Sequence, residues 1–160
     1  MIIDREYFTV GLSSEIALGL SLSEMGTVAQ FELQDICPVP GVTNFWYGVA
    51  NFKGSLLWIL DSARFFGLET ERHKKPTKLT TVIVKEQGQD NNQQAAIVTD
   101  RLMGIVTLDP SGLNPVPESA LPQLQQCCSQ LARLEEQTIY ILDCGALLAQ
   151  LQQQSILVSA

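Results

Sequence analysis

The sequence predicts a mainly β protein assembled from two similar units, and three observations carry that expectation. Apolar residues fall in many short runs, spaced with period two or continuous, and Asp, Glu, Gly, Ser and Asn separate them. One block recurs: Val49–Asp61 aligns without a gap on Leu131–Asp143, at an offset of 82. The 160 residues are 46% hydrophobic and only 17% charged, a profile of a folded chain. A chain of that length buries roughly two thirds of the surface it exposes when unfolded, enough for a core without staples.

In chain order, strands are predicted at 6–12, 16–22, 25–31, 47–53, 55–60, 80–86, 94–99, 102–108, 130–134 and 138–142. Helical pattern is convincing in two places, Ser62–Phe66, ended by Gly67, and Gly145 to Gln154. Both follow an Ile-Leu-Asp, so Asp61 and Asp143 are read as N-caps accepting backbone N–H groups, a contribution of about 1 kcal/mol each. Glu69–Lys78 has no apolar residue and reads as a linker. Glu86–Gln94 is a polar hairpin loop, and the glutamines at 123–130 and 150–154 read as solvated faces, because leucines punctuate them.

The duplication extends beyond the first block. Met25-Gly-Thr-Val28 matches Met103-Gly-Ile-Val106, and Pro38-Val-Pro40 matches Pro115-Val-Pro117, in the same order in both halves. Two units of roughly 75 residues rarely stand alone, so they are expected to pack on a shared apolar seam. The copies differ at one turn. Asn51-Phe-Lys53-Gly54 faces Arg133-Leu-Glu135-Glu136, so length is kept while glycine is lost and charge reverses. A glycine there suits a positive-φ turn that fixes Lys53 at a hairpin tip.

Charge and composition narrow the function. Seventeen acidic and ten basic side chains give −7, which opposes phosphate neutralisation and argues against nucleic acid as a partner. Arg64, Arg72, Lys74, Lys75, Lys78 and Lys85 are six of the ten basic residues and read as a solvated linker region. Charges in Asp4-Arg5-Glu6 and the lack of an 18-residue apolar stretch predict a cytoplasmic protein without a membrane span. Cys37, Cys127, Cys128 and Cys144 form no C-x-x-C pair, and His73 is far from them in sequence, so neither a metal site nor a cofactor is expected. P-loop, dinucleotide-binding and G-x-S-x-G motifs are absent, and no catalytic residue is assigned.

The run Pro38-Val-Pro40, Gly48-Val49-Ala50-Asn51-Phe52-Lys53-Gly54, then Leu57-Trp58-Ile59-Leu60-Asp61 with Arg64, resembles the central signature of CheW-like chemotaxis adaptors. Ala96–Asp100, Met103–Val106, Pro115–Pro117 and Ile141–Asp143 fall in the same family's order, so the resemblance spans about residues 5–152. It implies two SH3-like five-stranded β-barrels, here approximately 5–68 and 79–154 joined by 69–78, within a single CheW-like domain over 1–160, with a terminal strand able to cross over. It implies a non-enzymatic scaffold that couples a methyl-accepting chemoreceptor tip to the regulatory domain of a CheA-like histidine kinase. The receptor helix would lie in an apolar groove between the barrels. Recruitment to membrane-associated receptor arrays is implied too, in a flagellar, pilus-linked or phototactic system.

Partner contacts are carried to Lys53, Asn51, Gly54, Val49 and Arg64, and to Glu24 and Met25 as the counterpart of a V-x-E-V block. This chain departs from the family in having Lys53 for arginine, Leu56-Leu57-Trp58 where a strand proline is usual, and Ala63 for the leucine of D-L-R. Lysine keeps the charge and loses the planar fork. Two other readings stand beside this one. A generic SH3-like module for proline-rich peptides would use Trp46, Tyr47 and Trp58 as one groove. A small cysteine-dependent enzyme would use Cys37, which needs a neighbouring cation or base.

Overall fold

The computed structural model describes residues 5–68, 77–85 and 94–154. The strands are β1 (Arg5–Gly11), β2 (Ile16–Ser21), β3 (Met25–Glu32), β4 (Trp46–Phe52), β5 (Ser55–Leu60), β6 (Lys78–Lys85), β7 (Gln94–Thr99), β8 (Arg101–Leu108), β9 (Asn114–Pro115), β10 (Cys128–Leu134) and β11 (Gln137–Leu142). The helices are α1 (Ser62–Phe66), α2 (Pro122–Cys127) and α3 (Cys144–Gln154). The mainly β expectation holds. Most of the linker, 69–76 with His73, and the loop 86–93 lie outside the described residues.

Two sheets form, with orders β8-β1-β2-β11-β10-β9 and β3-β6-β7-β5-β4. Omitting the short β9, their strand orders correspond as the duplication demands, each with one parallel pair, β2/β11 and β5/β7. The sheets do not follow the division of the chain at 69–78. Hairpin β1–β2 belongs to the sheet of the second half, and hairpin β6–β7 to the sheet of the first. The two curled sheets are the two expected β units, but they exchange hairpins, so the bounds 5–68 and 79–154 do not delimit them. The reason is physical: both hairpins are apolar on both faces and need an interior position in a sheet.

That two-sided burial is visible residue by residue. Leu60, Val82, Val84, Ala95 and Ile97 join the core between the sheets, while their neighbours Ile59, Ile83, Ala96 and Val98 fill the interior of the five-stranded sheet. Tyr140 and Leu142 likewise face the seam, whereas Ile139 and Ile141 face the interior of the other sheet. Successive strand residues point to opposite faces, so a continuous apolar run becomes two half-cores. The five-stranded sheet curls far enough for its edge strands to meet, with the Phe31 ring of β3 and the Phe52 ring of β4 edge to face at 6.2 Å.

The seam is a filled core. Phe65 and Phe66 of α1, Leu124 of α2 and Leu147, Leu148 and Leu151 of α3 occupy it. Helix starts follow the sequence reading: Asp61 Oδ1 accepts from Arg64 N–H at 3.3 Å, and Asp143 Oδ1 accepts from Ala146 N–H at 3.1 Å. Asp61 and Asp143 thus act as caps. Helix α2 was not expected; its glutamines concealed the buried Leu124 and Cys127, and Pro122 at its first turn supplies the start.

Candidate functional site

Hairpin β4–β5 is the most specialised surface element. Phe52 pairs with Ser55, leaving the two-residue turn Lys53-Gly54 with φ of 51° and 84°. Positive φ at both central residues is the type I′ geometry, whose twist matches the flanking strands. Asn51 Oδ1 accepts the Gly54 N–H at 3.0 Å and closes the turn, so its side chain is spent on local structure. Lys53 is exposed, with Nζ 5.2 Å from the centre of the Phe52 ring. The counterpart turn Glu135-Glu136 has the same length and positive φ only at Glu135, 54°. One tip presents a cation and the other two carboxylates.

Beneath the Lys53 tip lies a concavity lined by Gln30, Phe31, Glu32, Asp35, Ala50 and Phe52, where β3 and β4 come together. Val49 is half-buried on β4. It faces Trp58 across the hairpin and exchanges backbone bonds with Cys37, Cys37 N–H to Val49 O at 2.8 Å and Val49 N–H to Cys37 O at 2.9 Å. The second copy does the same with β9, where Asn114 pairs with Leu131. The repeated Pro-x-Pro thus marks chain that covers an edge strand.

The remaining candidates are elsewhere. Arg64 lies on α1, beyond the far end of β5 and so about 20 Å of strand from the tip, ion-paired to Asp61 at 3.8 Å. Glu24 and Met25 sit where the chain leaves one sheet for the other. Glu24 lines a cleft with Arg5, Glu6, Ser129 and Asp143, and Met25 packs on the seam core.

Residues missed by the sequence reading are the exposed Val28 of β3 and Leu102 and Ile105 of β8; Met25, already a candidate, is half-buried beside them. Met25 and Val28 of β3 pair with Val84 and Val82, and Leu102 and Ile105 of β8 pair with Val10 and Phe8. Cross-strand partners share a face, so all four lie on the face that lines the seam. Ile105 is 61% exposed and Leu102 44%. The groove expected between the barrels is therefore corrected to a filled seam with apolar rims on β3 and β8. The Met-Gly-x-Val repeat marks both strands but omits Leu102 and aligns Val28 with Val106, which packs in the sheet interior.

The two alternative readings meet specific geometry. Trp46 packs on the seam core and Tyr47 on the interior of the five-stranded sheet, so adjacent β4 residues point to opposite faces and do not form one groove. Cys37 is exposed. Burial pushes the thiols of Cys127 and Cys144 from 9.0 up to about 12, with the Asp143 charge adding to it, and Cys128 is also pushed up by burial. Among the described residues no group of three or more His, Cys, Asp or Glu is placed to hold a metal, and no helix is long and apolar enough to cross a membrane.

Two results follow from the thiols. A thiol-specific disulfide reagent at neutral pH is expected to label Cys37 alone in the native protein and all four cysteines after denaturation. Fast native labelling of a second thiol would contradict the burial. In the folded state the neutral form is favoured, while the unfolded chain ionises near 9.0. The stability is fully present below pH 9 and falls as pH rises toward 12, by about 1.4 kcal/mol per pH unit per buried thiol. Urea melts at pH 8 and pH 10.5 measure it; equal midpoints would refute it.

The sequence profile described as CheW-like domain matches residues 6–152. The chain is similar to the chemotaxis protein CheW of Helicobacter pylori (strain ATCC 700392 / 26695), 30% identical over 81 residues, which are 51% of this chain and 46% of that protein. The matched region thus spans about half the length of that curated relative. The fold is similar to the crystal structure of the scaffolding protein TtCheW from Thermoanaerobacter tengcongensis, with a TM-score of 0.70 and 19% identity over 88% of this chain and 90% of that one. With the profile covering nearly all of its length, this chain belongs to the CheW-like domain family.

Proposed function

We propose that this chain is a non-enzymatic scaffold that couples the cytoplasmic tip of a methyl-accepting chemoreceptor to the regulatory domain of a CheA-like histidine kinase. The observation that carries the proposal is the family match over 6–152 in a chain whose specialised surfaces are built for docking. Apolar rims on β3 and β8 suit the apolar stripe of a receptor helix, which presents side chains at i, i+3, i+4 and i+7. The Lys53 tip suits an acidic side chain on a second β-domain. Conformational bias in the receptor reaches the kinase by shifting populations of the assembled complex. Assembly recruits the adaptor from the cytoplasm to receptor arrays.

Binding of the purified protein to the cognate receptor tip and to the kinase regulatory domain tests this reading. No measurable association with either partner sinks it. Ile105→Asp is expected to weaken receptor-tip binding at least tenfold, because it places a charge on an apolar docking face. Lys53→Glu is expected to impair kinase association with the fold intact, since an exposed tip charge contributes little to stability. Wild-type binding by both variants, each with an unchanged melting temperature, would overturn the assignment of these surfaces.

A further inference from the structure

We propose that reciprocal exchange of hairpins welds the two sheets into one cooperative, hinge-free body, so that no point in the sequence separates two modules. Each donated hairpin is interior to its host sheet. β1–β2 sits between β8 and β11, and β6–β7 sits between β3 and β5. Withdrawing either hairpin would split its host sheet in the middle and leave two rows of unpaired backbone groups. Four strand ladders therefore join the first half of the chain to the second: β1/β8, β2/β11, β3/β6 and β5/β7.

The chain crosses from sheet to sheet twice, and both crossings are short and pinned. Leu22–Glu24 connects β2 to β3, and Asp100 alone connects β7 to β8. Glu24 C=O accepts the Lys85 N–H at 3.0 Å, which ties the first crossing to β6. Asp100 N–H donates to Gly11 C=O at 2.7 Å, and Arg101 Nη1 donates to Ser13 C=O at 2.9 Å, tying the second to the end of β1. Arg101 also pairs with Asp100 at 3.2 Å and lies so close over Gly11 that a Cβ there would come within 2.6 Å of the guanidinium. A domain hinge needs a few residues free to absorb large φ and ψ changes. These crossings have none to spare, and the seam core between the sheets is filled by helices from both halves. A displacement imposed on one sheet is thereby carried to the other as motion of the whole body.

The test uses the full chain. Urea unfolding is followed by tryptophan fluorescence, which reports the five-stranded sheet through Trp46 and Trp58, and by amide hydrogen exchange of β10 and β11 in the other sheet. Coincident midpoints are expected; separated midpoints would overturn the proposal. A second version carries a protease site within 69–76 and is cut after folding. The two fragments are expected to elute together at the mass of the intact chain, with a melting temperature that now rises with concentration, because unfolding releases two chains. Fragments that separate, each still folded, would refute the weld. This outcome is independent of partner binding, so it stands or falls apart from the adaptor reading.

Discussion

Gly48→Ala is expected to cost about 3 kcal/mol and to lower the melting temperature by about 10 °C. Gly48 has φ of 140°, and a Cβ built on it would lie 2.1 Å from the Cys37 carbonyl oxygen, 2.7 Å from its carbonyl carbon and 3.0 Å from Pro38 Cα. All three obstacles are backbone, so no rotamer change relieves them. The chain must instead surrender the Cys37–Val49 bridge that covers the edge of β4. Gly54→Ala is the control. Its φ of 84° is equally unsuited to a side chain, but nothing lies within 4 Å of the added atom. It should cost only about 1 to 2 kcal/mol, the penalty of a left-handed conformation alone. Urea melts of the two variants distinguish steric collision from backbone preference, and equal losses would show that the collision at Cys37 is not real.

The same glycine shows what the sequence could and could not convey. Its place in the Gly-Val-Ala-Asn-Phe-Lys-Gly run was legible, as were ten strands and two helices, because alternation and the Ile-Leu-Asp stops act over a few residues. That Gly48 meets Cys37, eleven residues upstream, was not, since only folding brings the Pro-x-Pro segment against β4. The turn at Lys53 was legible for a local reason, glycine at a two-residue loop. The role of Asn51 in closing that turn was not read, although a side-chain bond to Gly54 N–H is equally local. Hairpin exchange could not be read, because the two copies have nearly the same pattern and either could pair with either. Leu102 and Ile105 were hidden for a related reason: their strand pattern resembles a buried one, and only the edge position of β8 exposes them.

Phe66→Ala is expected to lower stability by about 3 to 5 kcal/mol, a large share of the 5 to 15 kcal/mol typical of a domain. Phe66 is 1% exposed and belongs to the seam core; its ring lies 5.1 Å from that of Phe65, which in turn meets Phe45 edge to face at the same distance. Helix α1, capped by Asp61 at one end and stopped by Gly67 at φ of 77° at the other, lies against α2 and β7. With both helix ends fixed, the surroundings have little freedom to collapse into the space left by the ring, so the cavity adds to the lost burial. Phe66→Leu keeps much of the volume and should cost less than half as much. Because the seam is shared, the alanine variant should shift the tryptophan signal of one sheet and the hydrogen exchange of the other by the same free energy. A loss confined to the five-stranded sheet, to which α1 is joined in sequence, would mean that the seam is an ordinary interface between two independently stable barrels.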